Sequence, residues 1–317
     1  MVVPHLPPHS TARAAALAVA LALSPSVARA FTRESGTGAD GARGPCLYWS
    51  TRQLAFETND KGSRDAGPGA FAAVSASFAA WAAPCTDLAF DDLGRTSRAD
   101  IGFSPQDANR PALVVWRDVL CSKAAPPSDP CWAEGCANAY DCWEHDADVL
   151  ALTTTSYNNK TGEIVHADIE FNGATYGFTA MDSPPCPKSP PPPRPAPCVA
   201  IDVQNTLTHE VGHLLGLDHS LDSEATMFKT ADLGELKKRS PEADDLDGLC
   251  HLYPQGRPTS TCLSPPPGTL QSSEGGCHCG AQGGLTGLTL PLLTALLRRR
   301  RHPGCIRSSR AGRASIP

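Results

Sequence analysis

The stretch Thr208-His209-Glu210-Val211-Gly212-His213-Leu214-Leu215-Gly216-Leu217-Asp218-His219-Ser220 decides how the rest of the chain is read. Residues four apart on a helix share a face, so His209 and His213 point the same way, one turn apart, and can grip one metal ion. Glu210 lies beside them. Gly216 tolerates a positive φ, which lets the helix stop there and the chain swing back so that His219 supplies a third nitrogen. Three imidazoles around zinc leave a fourth position open for water, the arrangement of a catalytic site rather than a closed structural one. The Glu210 carboxylate can then take the proton from that water.

Upstream, Asp202 is a suitable N-cap for this helix, and Leu207, Val211, Leu214 and Leu215 form its apolar stripe. Downstream, Glu224-Ala225-Thr226-Met227-Phe228 brings a methionine shortly after the last histidine. H-E-x-x-H-x-x-G-x-x-H followed by such a methionine resembles the metzincin zinc proteases. The resemblance implies a Met-turn that sets the Met227 thioether beneath the three histidines. Astacin- and serralysin-type members carry Tyr two residues past that Met. Here the position is Lys229, which favours a matrixin-like reading. The run Asp244-Asp245-Leu246-Asp247-Gly248-Leu249 to Leu252-Tyr253 also resembles the matrixin C-terminal helix, with Ser240 as its expected cap, Pro241 at its first position and Pro254 as its stop. In order of elements the resemblance spans residues 46–254, and it is specific only from His209 to Met227.

The family implies an α+β fold, a metzincin-like twisted mixed sheet with an active-site helix and a C-terminal helix. It implies one catalytic Zn2+ on His209, His213 and His219, with Glu210 as catalytic base. Residues 162–167 resemble the matrixin edge strand that lies over the cleft, so Ile164, Val165 and Ala167 are expected to bind an extended substrate by strand addition. His166 stands where that family places a structural-zinc ligand, and His145 is the other candidate. With no further histidine between His166 and His209, a solvated His166 is expected, and neither structural Ca2+ nor a second Zn2+ has support in the sequence.

The chain has 317 residues, with 33 acidic against 27 basic side chains and a net charge of −6. That mild balance suggests no nucleic-acid surface. Thirteen cysteines suit an exported protein better than one kept reduced in the cytosol. The N-terminus points the same way: Arg13, an apolar run from Ala14 to Leu23, then Ala28-Arg29-Ala30 read as a signal peptide over residues 1–30, whose cleavage leaves Phe31 first. The catalytic domain is then expected over residues 31–255.

Within it, residues 32–45 are a Gly-rich lead without pattern and 47–58 read as a first strand. Phe71, Val74, Phe78 and Trp81 predict an amphipathic helix over 69–82. Short β-type runs follow at 87–91, 99–103 and 112–116. Residues 121–142 carry four cysteines among turn formers and read as a disulfide-stapled surface insertion, with a metal site as the weaker alternative. Residues 149–157 are β-type. Then Val165, Ala167, Ile169 and Phe171 alternate with His166, Asp168, Glu170 and Asn172, one core face and one polar face. A proline-rich run between Cys186 and Cys198 is extended, and those two cysteines can pair to close it. Cys46 is expected in a disulfide rather than on the metal, and the connectivity of the cysteines is not readable.

Residues 256–276 read as a Pro/Ser/Gly linker. Cys277-His278-Cys279, an apolar run and Arg298 to Arg301 follow, so residues 277–301 resemble the C-terminal sorting tails of myxobacterial surface proteins, with transient membrane contact through that tail. Residues 302–317 are an unassigned basic end, and nothing in the chain indicates an oligomeric state. The expectation is a secreted or surface-held zinc endopeptidase acting on protein or peptide substrates. The rival is a non-catalytic, zinc-stabilised surface adhesin or binding module, which has no need of Glu210.

Overall fold

The computed structural model describes residues 31–37, 43–182 and 184–261, and the backbone of Ser315–Ile316. The expected signal segment, the sorting tail and most of the linker lie outside the described residues.

The chain opens with three short strands, β1 (Thr32–Arg33), β2 (Ser35–Thr37) and β3 (Arg43–Cys46), where the sequence predicts an unpatterned lead. Strands this short carry no periodicity to read; they exist because partners elsewhere take their backbone groups. The first long strand, β4, runs Gln53–Asn59 rather than from residue 47, and helix α1 covers Gly69–Ala79. β5 spans Ala89–Thr96 and β6 spans Ala112–Trp116. Residues 99–103 form no strand: the Asn138 side chain and the Asp168 carboxylate hold the Ile101 and Gly102 amides in place of a sheet neighbour.

The cysteine-rich insertion folds as α2 (Cys121–Ala124), α3 (Cys131–Glu134) and α4 (Ala137–Tyr140), stapled by Cys121–Cys142 and Cys131–Cys136. Two long strands follow, β7 (Ala151–Asn158) and β8 (Ile164–Phe171). The main sheet has the order β7-β8-β6-β4-β5, with β7 antiparallel to β8 and the other neighbours parallel. β9 (Phe178–Thr179) pairs with β10 (Ile201–Asp202), and a Cys186–Cys198 disulfide closes the proline-rich run between them. Helix α5 (Val203–Leu214) leads into β11 (Leu217–Asp218), which pairs antiparallel with β1. Helix α6 (Ala243–Leu252) ends the domain. It starts later than Ser240, because Glu242 and Asp245 form a reciprocal capping box. Cys85–Cys250 ties α6 to the loop after α1. The pair β12 (Ser315–Ile316) adds parallel to β7 at Tyr157 and Asn158. Among the described residues no helix is long and apolar enough to cross a membrane.

Helices α1 and α5 pack over one sheet face. Phe56, Val114, Ile169 and Phe171 from the sheet meet Val74, Phe78 and Trp81 of α1 and its C-terminal turn, and Leu207, Val211 and Leu214 of α5, in a single buried cluster. At roughly 1.5–3 kcal/mol for each large apolar side chain removed from water, this cluster is what fixes α5 against the sheet.

Two expectations for β8 are corrected. The strand is not an edge: β7 lies along one side throughout, and β6 joins the other side from Ile169 onward. Ile164, Val165 and Ala167 pair with β7 on one side, and they line a cavity of about 530 Å³ together with Trp49, Leu54 and Phe78. Alternation reveals a strand and its faces but not its neighbours. The polar face is also not solvated. His166 is 3% exposed, and its Nε2 lies 2.8 Å from Asp168 Oδ2. Asp168 accepts further hydrogen bonds from the Gly102 and Leu113 amides. Glu170 accepts from the buried Arg117 guanidinium at 2.6 Å, with His145 3.5 Å away. These carboxylates are met by protein donors.

Candidate metal centre and active site

Helix α5 is fixed at both ends by side chains. Asp202 accepts from the Asn205 amide at 2.8 Å, as expected of an N-cap, and Arg239 clasps its carboxylate from outside. At the other end the Trp49 indole donates to Leu214 O and the Tyr253 hydroxyl to Leu215 O, filling carbonyls that a helix end leaves orphaned. Gly216 has φ +91°, and a Cβ there would lie 2.6 Å from Leu47 O. Only glycine makes that turn, which sends the chain back into β11 and on to His219.

His209, His213 and His219 thereby converge, and one nitrogen from each lies within 4.8 Å of the others. His209 Nδ1 sits 2.7 Å from Thr226 O and His213 Nδ1 sits 2.8 Å from Leu217 O. A carbonyl only accepts, so both Nδ1 atoms carry the proton and both Nε2 lone pairs face the centre. The Nε2 atoms of all three histidines are buried without a hydrogen-bond partner. Three orphaned acceptors pointing together are costly in a protein alone and are satisfied by one shared cation. Burial also lowers the pKa of all three, His219 to about 3, so the imidazoles are neutral and ready to ligate at neutral pH.

Glu210 is fully buried beside them. Its Oε2 accepts from the Thr153 hydroxyl at 2.9 Å, while its Oε1 is buried without a partner. Burial pushes the carboxyl up to about 7. A carboxylate of that affinity in a dry site is suited to accept and return a proton near neutral pH.

Met227 is 2% exposed and lies against α5 at Gly212. Its segment is held by Asp245, whose carboxylate accepts from the Thr226, Met227 and Glu242 amides at 2.7, 2.9 and 2.8 Å. One side chain thus caps α6 and fixes the carbonyl that orients His209. Lys238 is also fully buried, its ammonium donating to Phe228 O and Thr230 O, and burial lowers its pKa to about 8.

The four residues from His209 to His219 named from sequence are brought together with Met227, whereas Ile164, Val165 and Ala167 are not part of this cluster. Sequence reasoning missed Thr153, Asp245 and Lys238. The acidic first turn of α6 was a signal for Asp245; Thr153 and Lys238 lie far away in sequence and carried none.

The family described as Matrixin matches residues 48–254. Metalloendoproteinase 2-MMP of Arabidopsis thaliana is 35% identical over 77 residues, 24% of this chain and 20% of that protein. Metalloendoproteinase 1 of Glycine max is 41% identical over 54 residues, 17% of each chain. Macrophage metalloelastase of Oryctolagus cuniculus is 49% identical over 45 residues, 14% of this chain and 10% of that protein. The matched stretch spans about a fifth or less of the length of these curated relatives.

Proposed function

The chain belongs to the matrixin family, and from that premise we propose that it is a zinc-dependent endopeptidase in which Glu210 is the general base. The observation that carries the reading is the set of four unpartnered buried atoms, Nε2 of His209, His213 and His219 and Oε1 of Glu210. His209, His213 and His219 would hold the zinc; an all-nitrogen set of three neutral imidazoles fits that ion. Zinc bound there supplies Lewis acidity, which makes water nucleophilic at neutral pH and polarises a carbonyl.

The remaining steps belong to the chain. Glu210 Oε1 takes a proton from the attacking water as its oxygen bonds to the scissile carbon, and returns it to the departing amine nitrogen as the C–N bond breaks. Thr226 O and Leu217 O keep two ligand rings in one tautomer throughout. The outer edge of β7 ahead of its pairing with β12, residues 151–156, is the better site for an extended protein or peptide substrate, since Thr153 on that stretch already reaches Glu210. Export with cleavage after Ala30 is part of the same reading, supported by the four disulfides and by the Phe31 amide, which donates to Asp244 Oδ1 at 2.9 Å. A purely structural zinc site gives no role to a buried, half-satisfied Glu210.

Cleavage of casein with and without 1,10-phenanthroline, beside Glu210→Gln, tests the proposal. The chelator is expected to abolish cleavage, and Glu210→Gln is expected to be inactive while keeping its zinc. Full cleavage by Glu210→Gln would remove Glu210 from the mechanism.

A further inference from the structure

We propose that Thr153 is a positioning residue for the reaction: its hydroxyl, delivered from β7, anchors one oxygen of Glu210 so that the other faces the metal centre. The inference rests on the endopeptidase reading and adds a part that the zinc-binding motif does not contain.

Thr153 lies 57 positions before Glu210, and its Oγ1 is 2.9 Å from both Glu210 Oε2 and Glu210 O. The hydroxyl has one proton, which the carbonyl and the carboxylate oxygen share, and the share given to Oε2 restrains the carboxylate. A glutamate has three side-chain torsions, and a buried one without a partner can turn either oxygen in several directions. With Oε2 held, the carboxylate plane is set from two points, the helix backbone and the strand. Oε1 is then the oxygen left buried and unpartnered, as is the Nε2 of each of the three histidines.

The support behind Thr153 is rigid. It stands opposite Ile169 within an antiparallel ladder running from Ala151 to Tyr157, and Ile169 is itself fully buried in the core. Its neighbour Leu152 points to the other face, into a cluster with Trp143 and Val149, so rotation of the strand would expose apolar surface. A β-branched side chain on such a strand has little χ1 freedom, and the hydroxyl is therefore placed by the sheet rather than by a loop. The same strand has its outer edge proposed for substrate, which places the group that sets the base and the backbone that would align the scissile bond on one rigid element.

The plainer alternative is that Thr153 only satisfies a buried carboxylate and contributes stability. The two roles separate in kinetics. Removing a group that orients the base lowers kcat and leaves ground-state binding alone; removing a merely stabilising contact lowers the folded fraction and leaves the turnover of folded, zinc-loaded enzyme unchanged.

The test compares Thr153→Val, Thr153→Ser, Thr153→Ala and Glu210→Gln in the full chain, with peptide kinetics, zinc content by elemental analysis and thermal unfolding. In zinc-loaded, folded Thr153→Val, kcat is expected to fall about ten- to a hundred-fold, as a small misplacement of a reacting group does, with KM within about two-fold. Thr153→Ser, which keeps the hydroxyl, should recover most of that loss. If the valine variant does not fold, the alanine and serine variants give the same comparison. A kcat within about two-fold of the wild type in Thr153→Val or Thr153→Ala, or a serine variant as slow as the alanine one, overturns the proposal while Glu210→Gln remains inactive. A zinc-loaded wild-type chain that cleaves no peptide overturns the endopeptidase reading, and Thr153 with it.

Discussion

Gly212 and Met227 are in direct contact: a Cβ on Gly212 would fall 2.1 Å from Met227 Sδ and 2.9 Å from Trp81 Cζ2. The backbone of α5 between His209 and His213 therefore rests on the thioether, with the Trp81 indole close beside it. The Trp81 ring is itself fixed by its donation to Thr208 O at 2.9 Å. Glycine in the middle of a helix ordinarily costs about 1 kcal/mol against alanine, and here close approach is the reason it is tolerated.

Gly212→Ala should consequently destabilise the protein despite the better helix propensity. Overpacking costs about 1–3 kcal/mol against a propensity gain of about 1, and the methionine must move from its place against Gly212. Thermal unfolding should show a lower Tm, and zinc competition a weaker site. A variant as stable as the wild type, with unchanged zinc affinity, would show that the contact is not tight.

Arg117 is fully buried between Glu170 and Asp141, with 2.6 Å contacts to each. Arg117→Met leaves the Glu170 carboxylate, 1% exposed, without its counter-charge. The expected loss is about 3–5 kcal/mol, read as a lower urea midpoint. Arg117→Met combined with Glu170→Gln should recover part of it. If the double variant is no better than the single, the uncompensated carboxylate is not the cause.

Acid should weaken the metal-free chain through the histidine cluster. The three imidazoles have folded pKa values pushed below 6.5 by burial, so below pH 6.5 the unfolded chain takes up protons that the folded chain refuses. Their share of the stability is present above about 6.5 and is lost as pH falls toward the folded value of about 3 for His219. Glu210 acts oppositely: with its pKa raised from 4.5 to about 7, its contribution is full below 4.5 and is lost as pH rises through 7. Between 4.5 and 6.5 the glutamate partly offsets the histidines, and below 4.5 the fall steepens. Urea midpoints of the metal-free chain from pH 6.5 to 4 check this; a midpoint higher at pH 4 than at pH 6.5 contradicts it.

Local pattern carried the reading wherever a contact lies within a few residues of itself. His209 and His213 share a helix face because they are four apart, Asp202 caps because the Asn205 amide is three away, and Gly216 turns because it has no Cβ. α1 was legible through Val74, Phe78 and Trp81 for the same reason. The polar face of β8 was visible as polar, yet its burial depended on Arg117, Gly102 and Leu113 arriving from elsewhere in the chain.

By itself, then, the sequence determined the candidate ligand set, the helix that bears most of it and the family it belongs to, because helical spacing turns residue identity directly into geometry. Only the tertiary structure decided that β7 lies outside β8, that His166 meets Asp168, and that Thr153 holds Glu210 while Asp245 holds the Met227 segment. Those are contacts between segments far apart along the chain. Which strand is outermost, and which carboxylate meets which donor, follows from the order in which strands pair and cover one another, and no local periodicity encodes that order.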